Sequence, residues 1–147
     1  MDSEKSECAS GSASLFGKTV VIDARWIFAD LSGIGVYTRE LIRSLPRLVP
    51  DCRFRLWFGD TARLASTRDI TGFGNQPNVT AEVVSEGLFS PKGQWRLPAK
   101  LQDDGVDLFH SPNYMVPLRA FPRGGRGATA CVTTIHDLIP LKLPDHA

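Results

Sequence analysis

Thr19-Val20-Val21-Ile22, running into Asp23-Ala24-Arg25, is the stretch that decides the fold. The run is unbroken and β-branched rather than alternating, which is the pattern of a strand covered on both faces in a parallel sheet. A loop through Ser32-Gly33 follows. Ile34, Tyr37, Leu41, Leu45 and Leu48 then recur at spacings of three and four, with Arg39, Glu40, Arg43 and Arg47 on the other side. That periodicity predicts an amphipathic helix laid on the sheet. Pro46 lacks a backbone N–H and clashes with the carbonyl four residues earlier, so the helix is expected to end or kink near Leu45.

Further strands are expected at Phe54 to Phe58, Val79 to Val84, Val106 to Phe109 and Ala130 to Ile135, all short and rich in β-branched or aromatic residues. Between them, Thr61 to Ser66 predicts one or two helical turns, and Gln94 to Asp103 a helix interrupted by Pro98. Strands separated by helices or long loops are not joined as hairpins. The expected fold class is therefore α/β, a Rossmann-like, mainly parallel sheet with helices on both faces.

The chain has 147 residues, the size of one domain. Residues 1–17 are rich in Ser, Ala, Gly and Glu and read as a disordered leader, without the apolar stretch of a signal peptide. No apolar run approaches the roughly 18 residues of a membrane span. The expected location is the cytoplasm, with peripheral contact at the inner face of a membrane left open. The 17 basic and 16 acidic residues are interspersed, which gives nucleic acid no charged platform. Cys8, Cys52 and Cys131 are widely spaced and unaccompanied by zinc-ligand spacing, so they read as free thiols and no metal site is expected.

In an open parallel sheet, ligands bind beyond the carboxyl ends of the strands. Asp23 and Arg25 follow the first strand, Gly59-Asp60 the second, His110-Ser111-Pro112 the fourth and His136-Asp137 the fifth. Ser32-Gly33-Ile34-Gly35 opens the first helix, where free N–H groups and the helix dipole favour an anion and glycines admit close approach. Each histidine has a plain structural reading as a strand-end cap, and the glycine turn has one as an ordinary helix start. A dinucleotide fingerprint needs G-x-G-x-x-G directly after the first strand. Here Thr38 stands at the third glycine, and about ten residues separate Ile22 from Gly33. Arg123-Gly124-Gly125-Arg126-Gly127 reads as a flexible connection, and Asn78-Val79-Thr80 as a chance glycosylation pattern. The carriers of hydrolase, zinc-protease and P-loop chemistry are missing.

Three blocks in order, VVIDARWIFADLSGIGVYTRELIRSL, DGVDLFHSPNYMVPL and VTTIHDLIPLKLPDH, resemble the N-terminal half of retaining GT-B glycosyltransferases. The closest look is to the bacterial group 1 family with its mannosyltransferase-like members and roles in polysaccharide biosynthesis. Over residues 18–147 the resemblance implies an incomplete acceptor-side domain, a fragment or truncated product whose C-terminal donor-binding domain is absent and which is inactive alone. It implies a nucleotide-sugar co-substrate, a glycan or lipid-linked acceptor, a C-terminal glycosyltransferase half as partner, and no cofactor or metal. By the same match, Gly33 and Gly35 approach the donor, and His136 is the catalytic, donor-binding histidine. Asp23, Arg25, His110 and Asp137 are then acceptor or cleft candidates. The alternatives are a non-catalytic binding or scaffold module and a nicotinamide-dinucleotide-binding Rossmann domain.

Overall fold

The computed structural model describes residues 16–30, 32–121 and 129–137. Most of the leader, the 123–127 glycine-arginine run and residues 138–146 of the third block lie outside them. Five strands form one sheet: β1 (Thr19–Asp23), β2 (Arg53–Phe58), β3 (Val79–Val83), β4 (Leu108–Ser111) and β5 (Ala130–Thr133). They run in the order β3-β2-β1-β4-β5, and every neighbouring pair is parallel. The expected Rossmann-like α/β architecture is present.

Three helices connect the strands: α1 (Gly33–Leu48), α2 (Thr61–Thr71) and α3 (Gly93–Asp103). Because β1 is central and all five of its residues are buried, its side chains supply both cores. Val20 and Ile22 join Phe54, Leu56 and Phe58 against Ile42, Leu41 and Leu45 of α1 and Leu64 of α2. Val21 joins Trp57 and Phe109 against Leu97 and Leu101 of α3. Each fully buried side chain of this size contributes about 1.5–3 kcal/mol. Helices thus cover both faces, and the chain changes face between β3 and β4.

Local details differ from the sequence expectations. Helix α1 runs through Pro46 to Leu48. Pro46 lies in the last turn, where few intrahelical bonds remain to be lost. Its carbonyl accepts from Asn78 Nδ2 at 3.0 Å, and the Val49 N–H closes the helix on the Leu45 carbonyl at 3.0 Å. Asn78 is engaged in the same way with the Cys52 carbonyl at 3.1 Å. Helix α3 continues through Pro98. Packing of Leu97 and Leu101 on the sheet outweighs the one missing hydrogen bond. Helix α2 extends to Thr71, because Asp60 caps its start and Gly72, at φ +69°, closes its end.

Strand β4 begins and ends two residues later than the composition suggests, so His110 and Ser111 lie inside the ladder rather than beyond it. Val106 still fills the core, but as the residue entering the strand. Among the described residues no helix is long and apolar enough to cross a membrane, and Cys52 and Cys131 are unbridged.

Candidate functional site

The carboxyl edge of the sheet carries two groups of residues. The first lies where β1 and β4 adjoin and their connections leave to opposite faces. Ser32 caps α1 there, its Oγ accepting from the Gly35 N–H at 3.3 Å. One of the helix's N-terminal donors is therefore already engaged. Gly33 is exposed, and a Cβ added to it would meet nothing within 4 Å. One turn further on, the Tyr37 ring stands 5.2 Å from the His136 ring, nearly perpendicular to it, and 6.4 Å from the His110 ring. The structure thus gathers the glycine turn and both candidate histidines around a tyrosine that sequence reasoning treated only as an apolar helix position.

The histidines differ in surroundings. His136 meets the Pro112 carbonyl through Nε2 at 2.8 Å, and since a carbonyl only accepts, Nε2 carries the proton. The Tyr37 hydroxyl is 3.1 Å from Thr134 Oγ1, which ties α1 to the segment leading to His136. His110 Nε2 is buried without a hydrogen-bond partner, and burial holds the imidazole below its ordinary pKa of 6.5. A buried imidazole loses hydration that its charged form needs. Asp137 is exposed.

The second group is a cavity of about 380 Å³ beyond the ends of β1, β2 and β3. It is lined by Arg25, Ile27, Phe28 and Ala29 after β1, by Gly59, Asp60 and Arg63 after β2, and by Val84 to Phe89 after β3. Asp23 and Arg25 do not stand open to it as a free carboxylate and a free guanidinium. Arg25 donates to Asp23 through Nε and Nη2, each at 2.7 Å, and through Nη1 to the Glu86 carbonyl at 2.7 Å. Their side chains are only 4% and 1% exposed, so the pair is a buried strut.

Glu86 itself is bridged to Arg96 at 3.2 Å. Burial would raise its carboxyl, but bonds from its own backbone N–H, Arg96 and Ser85 outweigh that and hold it below the ordinary value. Asp60 Oδ1 accepts from the Arg63 N–H at 2.8 Å, as the cap of α2. Phe28, Arg63, Glu86 and Phe89 were not singled out from the sequence. Their loops look ordinary in isolation, and only the sheet brings them together. Among the described residues no cluster of His, Cys, Asp or Glu has the makings of a metal site.

No family model matches the chain, and no curated protein matches it. Among solved structures it is similar to a short chain dehydrogenase from Mycobacterium smegmatis, at 22% identity and a TM-score of 0.41. The match covers 66% of this chain and 36% of that one. It is also similar to a protein described as a short-chain dehydrogenase/reductase from Burkholderia xenovorans, at 17% identity and a TM-score of 0.43, over 68% of this chain and 36% of that one. The chain therefore spans about a third of either protein.

The expected membership of the retaining GT-B glycosyltransferases is corrected accordingly. No family model carries it, and the similar solved structures are dehydrogenases. With it go the mannosyltransferase-like activity, the role in polysaccharide biosynthesis, the nucleotide-sugar co-substrate and the expectation that no cofactor is needed. A β-branched strand, a glycine-opened helix and polar strand ends, in that order, are what a doubly wound sheet requires. The three blocks report that architecture, and an architecture hosts many chemistries.

Proposed function

We propose that this chain is a Rossmann-type nucleotide-binding domain, with nicotinamide dinucleotide the first ligand to test. One observation carries the reading. The order β3-β2-β1-β4-β5 puts a switch point at β1 and β4, and the 380 Å³ cavity opens on the same carboxyl edge, on the β2 and β3 side of β1. Ligands of open parallel sheets bind beyond the carboxyl ends of the strands, where this cavity lies, and its volume falls within the size range of small-molecule pockets, about 300–1,000 Å³.

The fit to a dinucleotide is divided. The base-and-ribose end is accommodated, because Asp60 follows β2, where a carboxylate can accept from ribose hydroxyls, and Gly59 leaves open space beside it. The usual glycine cradle for the pyrophosphate does not fit. Ala24 to Ser32 intervene between β1 and α1, Gly35 N–H is engaged by Ser32, and Thr38 is fully buried with its hydroxyl on the Ile34 carbonyl at 2.7 Å. The phosphate next to the ribose would instead meet Arg63 in the cavity, and the part of a dinucleotide beyond it the exposed Gly33 turn and the histidine pair. Gly33, His110, His136 and Tyr37 are accordingly proposed as ligand contacts, and no bond-making step is assigned to them.

Ligand-dependent melting with NAD, ADP and GDP in separate arms tests the reading. A ligand at about one hundred times its Kd stabilises by about 2.7 kcal/mol, equivalent to roughly 5–11 °C in a domain of this size. An unchanged melting temperature with millimolar concentrations of every nucleotide would remove the proposal.

A further inference from the structure

We infer that Phe28 and Phe89 form an aromatic lip that takes the planar base of a nucleotide, while Arg63 takes its anionic end; the inference rests on the nucleotide reading. Phe28 and Phe89 belong to two different connections, after β1 and after β3, yet both line the same cavity. They are 45% and 70% exposed. Each meets Trp26 edge-on, at 6.1 Å and 76° for Phe28 and at 6.2 Å and 84° for Phe89. Trp26 is only 5% exposed, so it is the fixed post against which both rings are set.

Two large aromatic rings held open to solvent by a buried third are a positioned surface, not scattered exposure. Aromatic faces bind bases by stacking, whatever the base. The charges of the cavity point the same way. Arg25 is neutralised by Asp23, Glu86 by Arg96, and Asp60 sits at the N-terminus of α2. Among the described residues no carboxylate is bridged to the Arg63 guanidinium, which leaves it to an anion. An aromatic lip and a guanidinium with no bridged carboxylate in a single cavity match a ligand that is planar at one end and anionic at the other.

The experiment is calorimetry of the whole chain with adenosine, ADP and ribose 5-phosphate. The variants are Phe28→Ala/Phe89→Ala, the milder Phe28→Leu/Phe89→Leu, and Arg63→Gln. The Leu pair keeps apolar bulk on Trp26 and removes the flat faces; circular dichroism verifies that each variant is folded. Loss of the rings is expected to weaken adenosine and ADP about tenfold, as stacking implies, and to leave ribose 5-phosphate unchanged. Arg63→Gln is expected to weaken ADP and spare adenosine. Wild-type binding of ADP that the folded Leu pair retains in full would overturn the lip and leave the nucleotide reading standing. Failure of the wild-type chain to bind either adenosine or ADP would overturn both.

Discussion

Arg25 grips Asp23 with two parallel hydrogen bonds of 2.7 Å, and the two residues are separated by a single alanine at the carboxyl end of the central strand. The third nitrogen of the same guanidinium holds the Glu86 carbonyl, so a charge pair at β1 fixes the loop after β3 and with it one wall of the cavity. Removing one partner leaves the other charged, buried and uncompensated, which costs about 3–5 kcal/mol. Asp23→Asn is therefore expected to lower stability by that amount in urea denaturation, whereas Asp23→Leu with Arg25→Met recovers a large part of it. A loss below about 1 kcal/mol for Asp23→Asn would mean that water reaches the pair.

At Gly72 the backbone, not space, is limiting. Its φ is +69°, and the nearest atom to an added Cβ would be Arg47 Nη2 at 3.9 Å. Gly72→Ala forces a left-handed conformation on a residue with a Cβ and is expected to cost about 1–2 kcal/mol. Thermal unfolding would read this as a lower melting temperature, and no change would show that α2 ends differently.

His110 makes stability depend on pH. Its folded pKa lies below 6.5 because it is buried, so the unfolded chain binds its proton more readily. The contribution is complete above about 6.5 and is lost as pH falls from there through the lower folded value. Urea midpoints measured between pH 8 and pH 5 should fall across that window. In His110→Phe, which keeps a ring beside Tyr37, that part of the slope should disappear. A slope identical in the variant would place the titration elsewhere.

Ser32→Ala removes the acceptor for the Gly35 N–H and is expected to cost about 1 kcal/mol. Ser32→Gly should cost only a few tenths. Hydrogen exchange at Gly35, faster in the Ala variant, reports the same loss locally. Equal stability of all three proteins would show that solvent caps α1 as well as the serine does.

Much of the architecture was readable because it is written in burial periodicity. The unbroken Val20-Val21-Ile22 run announces a strand covered on both faces, and β1 is buried throughout. The three-and-four spacing from Ile34 to Leu48 announces α1, although its most buried positions are Gly35, Thr38, Ile42 and Pro46 and Leu48 is exposed, while the alternation of strands with helices or long loops announces a parallel sheet. Pro46 and Pro98 misled the helix boundaries, since the local cost of a proline is visible in sequence and the packing that offsets it is not. Strand β4 starts two residues later than its composition suggests for a similar reason. Val106 is as apolar as a strand residue, and only the ladder with β1 and β5 selects Leu108 to Ser111.

The candidate site divides along the same line. Gly33, His110 and His136 could be named from their positions after strands and before a helix, because those positions follow from topology. Whether Asp23 and Arg25 face a ligand or each other depended on distances of 2.7 Å that no spacing encodes. Tyr37 reads as one more apolar position on α1, yet the fold sets it between two histidines. The order of the three blocks reports the layout of the sheet, which many chemistries share. By itself the sequence determined the layers of this protein, because burial repeats with the period of the backbone. Tertiary structure decided which loops meet, as Phe28 and Phe89 do on Trp26 from opposite sides of some sixty intervening residues, because that convergence depends on strand order and crossover, which local pattern does not contain.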